Sequence, residues 1–231
     1  MAGQTELSFM SSDSRTTVYA TLWEPEGEPV GVVQICHGMA EHIGRYAWLA
    51  GQLCAKGYVV CGDDHLGHGL SVIDGAPMVY LGETDGWQHV VDDMEELRRR
   101  TARVFPGKPY FLFGHSMGSF LSRTHLIRYP GCLDGCILCG TGHQSPALIA
   151  GGKMIADREI RRLGRKSFSV KADKLAFGAY NQHFKPSRTK FDWISANEAN
   201  VDDYIADPLC GGDTTLGLFR DMLDGLTIIT K

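Results

Sequence analysis

Residues 114–119 read Gly-His-Ser-Met-Gly-Ser, with a glycine two positions to either side of Ser116. A serine hydroxyl becomes a nucleophile only when a base takes its proton and donors stand ready for the oxyanion that its attack creates. The residues before it, PYFLF (109–113), form an apolar strand-like run. Those after it, MGSFLSRTHLIRYPG (117–131), have helical spacing. A strand passing through a tight turn straight into a helix holds the serine in a strained conformation with Oγ exposed. Gly114 and Gly118 fit that turn, because neighbouring backbone comes too close for a Cβ. The helix N-terminus adds free N–H groups and a dipole that favour negative charge. The alternative is a serine that only caps a helix after a glycine loop; the strand and helix flanks argue against it.

Two oxyanion donors are expected. One is the backbone N–H of Met117, directly after the serine. The other belongs to the loop HGMAEH (37–42) after the third strand, with Met39 as the donor. His37 and His42 are read as polar groups shaping that loop rather than as bases.

These residues need a scaffold. ELSFMSS (6–12) and TTVYATLWEP (16–25) read as a hairpin. PVGVVQICHG (29–38) is a continuous apolar run, as in a strand buried on both faces. A helix is expected over 45–57 and a strand from Tyr58 into the loop GDDHLGHGLS (62–71). A long amphipathic helix follows over 86–107, acidic early and arginine-rich late, as the helix dipole prefers. CLDGCILCG (132–140) reads as a sixth, buried strand. Alternating strands and helices predict an α/β fold with a mostly parallel central sheet and helices on both faces. Residues 143–213 show no buried strand and read as a mainly helical insertion, and 215–229 as a helix returning to the body.

Composition sets the outer bounds. A chain of 231 residues, 43% hydrophobic and 22% charged, is an ordinary globular one. The start lacks a basic segment followed by an apolar one, so no signal peptide is visible and the cytoplasm is the expected place. Seven cysteines without such a signal point to reduced thiols. Cys136 and Cys139 form a C-x-x-C, but three positions apart on a strand they face opposite ways, so no metal site is expected there. Net charge is −4, yet residues 151–190 hold eleven Lys/Arg against three Asp/Glu. That basic segment on an acidic chain, without a recognition motif, excludes nucleic acid as a partner.

Together HGMAEHIGRY (37–46), DDHLGHGLS (63–71), GHSMGS (114–119) and YIADPLC (204–210) resemble the α/β-hydrolase superfamily. Within it they resemble the monoacylglycerol lipase/lysophospholipase group, akin to the S33 serine aminopeptidases. The resemblance implies a core of strands one to six over 1–142, a helical lid over 143–213 and a return helix over 214–231. It makes His65 and His68 structural, and it accepts Ser119 where a second glycine is common. It also implies a nucleophile–acid–histidine order with the acid after strand seven and the histidine after strand eight. Nothing after Gly142 reads as either strand, so both strands and both triad partners are expected beyond Lys231. His143 follows strand six and His183 lies in the lid; neither has an orienting acid in the pattern.

The lid aromatics Phe177, Tyr180, Phe184 and Trp193 are candidate acyl-binding residues, or else the lid's own small core together with Phe168, Phe191 and Tyr204. The helix around 149–166 puts Ile149, Ala156, Ile160 and Leu163 on one stripe. Lys153, Arg158, Arg161, Arg162, Arg165 and Lys166 flank it, which suits peripheral contact with an anionic lipid surface. The expected activity is a serine esterase acting on monoacylglycerols or related lipid monoesters such as lysophospholipids, with no metal or organic cofactor; without the acid and the histidine, poor activity is expected of these 231 residues alone. A silent acyl-binding or interaction protein is the alternative from another class. An aminopeptidase-like hydrolase is a third, disfavoured because amino-group recognition wants a carboxylate by the pocket.

Overall fold

Six strands make one sheet, in the order β1-β2-β4-β3-β5-β6. The computed structural model of the chain describes residues 3–178 and 180–230, and all of their side chains but those of 175–177. β1 (Gly3–Met10) and β2 (Thr17–Glu24) pair antiparallel as the opening hairpin, and β2 joins β4 (Tyr58–Asp63) antiparallel. β3 (Gly31–Cys36), β4, β5 (Tyr110–His115) and β6 (Gly135–Cys139) run parallel. This is the predicted α/β-hydrolase architecture, with strand boundaries close to those expected from the apolar runs.

Every residue of β3 is buried, as its unbroken apolar run requires. The pleat divides its side chains between two layers. Val33 and Ile35 pack with Ala50 and Cys54 of α1 (Ala47–Cys54) on one face. Val32 and Cys36 face the other way, toward the layer of α2 (Gly86–Val104) and α3 (Met117–Arg128). On that face Gln34 is fully buried, donating to the Met94 carbonyl (2.9 Å) and accepting from Tyr110 Oη (2.7 Å). The helix expected over 45–57 begins as a 3-10 turn, Ile43–Tyr46, and becomes α1.

β6 departs from the expectation of a buried strand. It is an edge of the described sheet with β5 as its neighbour, and Ile137 is 57% exposed. Cys136 and Cys139 are both free thiols.

After β6 come α4 (Pro146–Leu163), α5 (Val170–Phe177), α6 (Glu198–Ala206) and α7 (Leu216–Ile229). α4 starts on a Ser145 side-chain cap with Pro146 at the first position, where a missing N–H costs nothing. α7 starts on Thr215, whose hydroxyl accepts from Leu218 N–H and donates to the Val79 carbonyl at 2.6 Å. α4 and α7 then share an apolar seam of Ile149, Ala156, Phe219 and Leu223. Leu163, expected on that stripe, is 39% exposed because it sits in the last turn. No helix among the described residues is long and apolar enough to cross a membrane.

The loop after β4 packs a layer of histidines beneath the β3–α1 connection. His37, His65 and His68 are fully buried, with the rings of His37 and His65 stacked at 4.1 Å. His37 Nδ1 meets the Gly38 carbonyl at 2.7 Å and its Nε2 accepts His65 N–H at 2.9 Å, which fixes its tautomer. His65 Nδ1 pairs with Asp63 at 2.9 Å. Burial pushes His37 well below the usual imidazole value, and neighbouring His65 and His68 add to the fall. The same burial lowers His68 to about 4.

A base whose folded value is depressed refuses a proton that the unfolded chain accepts. Its contribution to stability is therefore intact above the ordinary value of 6.5 and drains away as pH falls toward 4. For His68 this amounts to about 2 kcal/mol between pH 7.5 and 5. Buried Asp93 and Asp221, raised to about 7 and about 6, work the other way over this range, so the test is a difference. By urea unfolding, the stability of the native chain relative to His68→Asn should fall by about that amount from pH 7.5 to 5, and a difference that does not change with pH would contradict the buried neutral histidine.

Candidate active site

At Ser116 the chain leaves β5 and enters α3 with φ 50° and ψ −117°. An L-residue in such a region stores on the order of 1–3 kcal/mol, which surrounding bonds must hold. They do so from both sides. Ser116 N–H donates to the Cys139 carbonyl at 2.9 Å, extending the β5–β6 ladder by one bond. Its carbonyl accepts Ser119 N–H at 2.9 Å and Ser119 Oγ at 2.6 Å. Ser119, standing where a glycine is common, thus braces the turn.

The two glycines are steric necessities. A Cβ on Gly114 would come within 2.5 Å of Gly118 O and of Ser122 Oγ. A Cβ on Gly118 would run into the carbonyl groups of Cys36 and His37. The first turn of α3 therefore rests directly on the end of β3, and that contact brings the loop 37–42 beside Ser116. Met117 heads α3, so its N–H is one of the helix's unsatisfied donors. Neither Met39 N–H nor Met117 N–H has an acceptor among the described residues.

The loop is pinned by Glu41. Its carboxylate, 9% exposed, accepts Gly38 N–H (2.5 Å) and Tyr46 Oη (2.8 Å), and lies 3.2 Å from His115 Nδ1. Burial pushes Glu41 up, but the bonds from His115, Tyr46 and Gly38 outweigh it and leave the carboxyl below its ordinary value. Because His115 precedes Ser116, this bridge ties the loop to the serine turn. Ala40 takes φ 56°, and its carbonyl accepts Tyr204 Oη (2.8 Å) and Gly211 N–H (2.9 Å).

A cavity of about 420 Å³ opens over Ser116. Met39, Met117 and Phe120 line its floor; Leu148, Ile149, Gly151 and Ile155 of α4 form one wall, and Phe219, Met222, Leu223 and Leu226 of α7 the other. A larger cleft of about 900 Å³, around Asp13, Arg15, His89 and Lys166, lies elsewhere and has mixed charge. Ser116 decides between them: it lines only the apolar one.

The structure thus brings together Ser116, Met39, Met117 and Tyr180. Phe184 and Trp193 are not in the wall: Trp193 packs edge-to-face on Tyr180 at 4.9 Å, and Phe184 is 43% exposed. Phe191 packs likewise on Tyr204, a second ring pair. The side chain of Phe177 lies outside the described residues. The walls that sequence reasoning missed are Phe120 and the apolar face of α7, whose signal was the helical period of TLGLFRDMLDGLTII. His143 lines the cavity, but no described side chain hydrogen-bonds to Ser116 Oγ. On α4, Lys153 and Arg162 are taken up by Asp224 and Glu159, and Arg165 just beyond it by Asp221. Its most exposed large apolar residues are Leu148 and Met154, 65% and 72% open.

Comparison with known proteins places these features. The sequence pattern described as "Serine aminopeptidase, S33" matches residues 27–231. The chain is 30% identical over 196 residues to the human monoglyceride lipase, covering 83% of this chain and 56% of that one. It is 35% identical over 157 residues to the monoacylglycerol lipase of Mycolicibacterium smegmatis, covering 66% and 54%. It therefore spans little more than half the length of these relatives. Among solved structures, a thermostable carboxyl esterase from Bacillus coagulans in complex with glycerol superposes with a TM-score of 0.88 at 28% identity. That superposition covers 99% of this chain and 74% of the esterase.

Gly118→Ala tests the contact on which the site rests. Its Cβ meets backbone rather than a movable side chain, so the variant should lose about 3 kcal/mol or more by urea denaturation. A loss under about 1 kcal/mol would mean that α3 can back away from β3.

Proposed function

The chain belongs to the serine aminopeptidase S33 family of α/β-hydrolases, and from that premise we propose that it is a serine carboxylester hydrolase for monoacylglycerols or related lipid monoesters such as lysophospholipids. The observation that carries the proposal is the strained Ser116, set at the head of α3 and facing an apolar cavity beside two unengaged amides. In this reading Ser116 Oγ attacks the ester carbonyl and the amides of Met39 and Met117 receive the oxyanion. Collapse of the intermediate expels the alcohol, which takes up the proton, and leaves an acyl-serine that water hydrolyses to the free acid. The acyl chain lies between α4 and α7, and residues 143–213 act as the lid. The exposed Leu148 and Met154, with Arg158 and Arg161, which have no ion-pair partner among the described residues, suit contact with a lipid surface where such esters reside.

The relatives' names, monoglyceride and monoacylglycerol lipase, support the substrate class. An aminopeptidase reading is disfavoured because no Asp or Glu lines the cavity over Ser116. One observation favours a second reading, acyl binding without turnover: neither His143 nor His183 hydrogen-bonds to Ser116.

Fluorophosphonate labelling and monoolein hydrolysis separate the two. In a chain that also carries the triad acid and histidine, the hydrolase reading expects labelling on Ser116 alone, with Ser116→Ala reducing turnover by on the order of 10⁴ or more. Fatty-acid binding with no labelling in that same chain would establish the acyl-binding reading instead.

A further inference from the structure

Behind the loop that carries Met39, three side chains of different chemistry converge. His42 Nε2, a carboxylate oxygen of Asp207 and Cys210 Sγ all lie within 4.8 Å of one another. We propose that they bind one divalent transition-metal ion of the zinc type, completed by water. The proposal concerns a part of the chain that needs no hydrolysis at Ser116 to act.

Local sequence explains why the donors meet. Asp207-Pro208-Leu209-Cys210 closes a turn in which Cys210 N–H donates to the Asp207 carbonyl at 3.1 Å, with proline at the position that favours its fixed φ. Asp207 Oδ1 accepts Leu209 N–H at 2.9 Å, which leaves Oδ2 to reach His42 at 2.8 Å. The turn therefore sets the thiol beside the carboxylate, and the imidazole arrives from a loop 165 residues away. That loop is held in place independently by Tyr204 Oη and Gly211 N–H on the Ala40 carbonyl.

The donor set is selective. An imidazole and a thiolate with one carboxylate suit zinc or cobalt and not magnesium or calcium, which want oxygen alone. Zinc bonds of 2.0–2.3 Å in a tetrahedron separate donors by roughly 3.3–3.8 Å, so the cluster needs only a small adjustment. All three residues are half-buried, which leaves a path for the ion and room for a water. Charge also closes. Arg45, 3.4 Å from Glu41, brings the site's positive charge to three with the divalent ion, against one negative charge each on Asp207, Glu41 and the Cys210 thiolate. The other mixed cluster, Glu95, His125 and Cys132, has no such vacancy, because Glu95 already binds Arg98, Arg99 and His125.

Binding rearranges protons in a defined way. His42 donates from Nε2 to Asp207 and accepts Gly44 N–H on Nδ1 at 3.3 Å. Coordination through Nε2 moves that proton to Nδ1, and the Cys210 proton leaves to solvent. Nδ1 then no longer accepts, so Gly44 N–H loses the cap of the 3-10 turn Ile43–Tyr46. The ion would clamp the loop to residues 207–210 while loosening the start of the next turn.

Cobalt(II) titration of the whole chain tests this. Expected are one saturable site with a thiolate-to-cobalt charge-transfer band and tetrahedral d–d bands, all displaced by zinc. Cys210→Ala should abolish the sulfur band and His42→Ala should weaken binding roughly tenfold or more, whereas Cys139→Ala, at an exposed thiol, should change neither. Circular dichroism checks that each variant folds; should Cys210→Ala fail, Cys210→Ser keeps the turn's size and must likewise lose the sulfur band. A band that survives loss of Cys210, or no saturable band in the native chain, overturns the site. Ser116 takes no part in this readout, so failure of the hydrolase reading leaves it standing.

Discussion

The contact between Gly118 and the carbonyl groups of Cys36 and His37 governs the geometry of everything around Ser116. Two segments far apart in sequence, the end of β3 and the first turn of α3, touch backbone to backbone. Packing of that kind leaves no slack: a missing side chain cannot be compensated by a rotamer. It fixes where α3 begins, and hence where the Met117 amide points. It also fixes the exit of β3, from which Met39 follows three residues later. Glu41 then locks the loop with bonds to Gly38 and Tyr46 and a bridge to His115. The strain at Ser116 and Ala40 is tolerable because each residue's neighbours are fixed by a bond network rather than by its own preference.

The parallel sheet was legible in the sequence because its strands are short, apolar and bounded by turns, and burial on both faces leaves a pattern that survives without tertiary information. The serine turn was legible for a related reason, since two glycines at fixed offsets are the trace of a close backbone approach. The candidate acyl-binding aromatics were legible only in part: Tyr180 lines the cavity, whereas Trp193 packs on Tyr180 and Phe184 stands exposed. The cavity walls come instead from α4 and α7, whose inward faces read only as ordinary amphipathic helix. Periodicity reports that a face is covered and does not report whether a helix or a ligand covers it. The exposure of Ile137 was illegible for the same reason: an apolar run says nothing about which strand stands at an edge.

Charge is sorted by depth with similar economy. Burial keeps His37 and His68 under the loop neutral. Part of the basic character of residues 151–190 is spent on pairing: Arg165 reaches Asp221 with two bonds of 2.7 and 2.8 Å, and Lys153 reaches Asp224. Lys153 thereby joins α4 to α7, and Arg165, just past the end of α4, joins the following turn to α7. A sequence count of +8 therefore overstates the field that a lipid surface would feel, and the apolar residues left exposed on α4 matter more than the sum of its charges.

The structure separates two mechanical roles. The sheet, α2 and α3 form a platform of long-range contacts in which the positions of Ser116 and the two amides are over-determined. The walls above it hang on helix–helix seams and a few ion pairs, which open at lower cost than strand ladders. A rigid floor with adjustable walls lets the reacting groups stay aligned while the shape of the space for an apolar chain changes. Segment 204–211 is the exception, because it belongs to the upper layer in sequence yet bonds directly to Ala40 and His42 in the loop below. Through these bonds a change in the upper layer would reach the backbone beside Met39 without passing through the cavity, and that gives the His42–Asp207–Cys210 cluster its leverage.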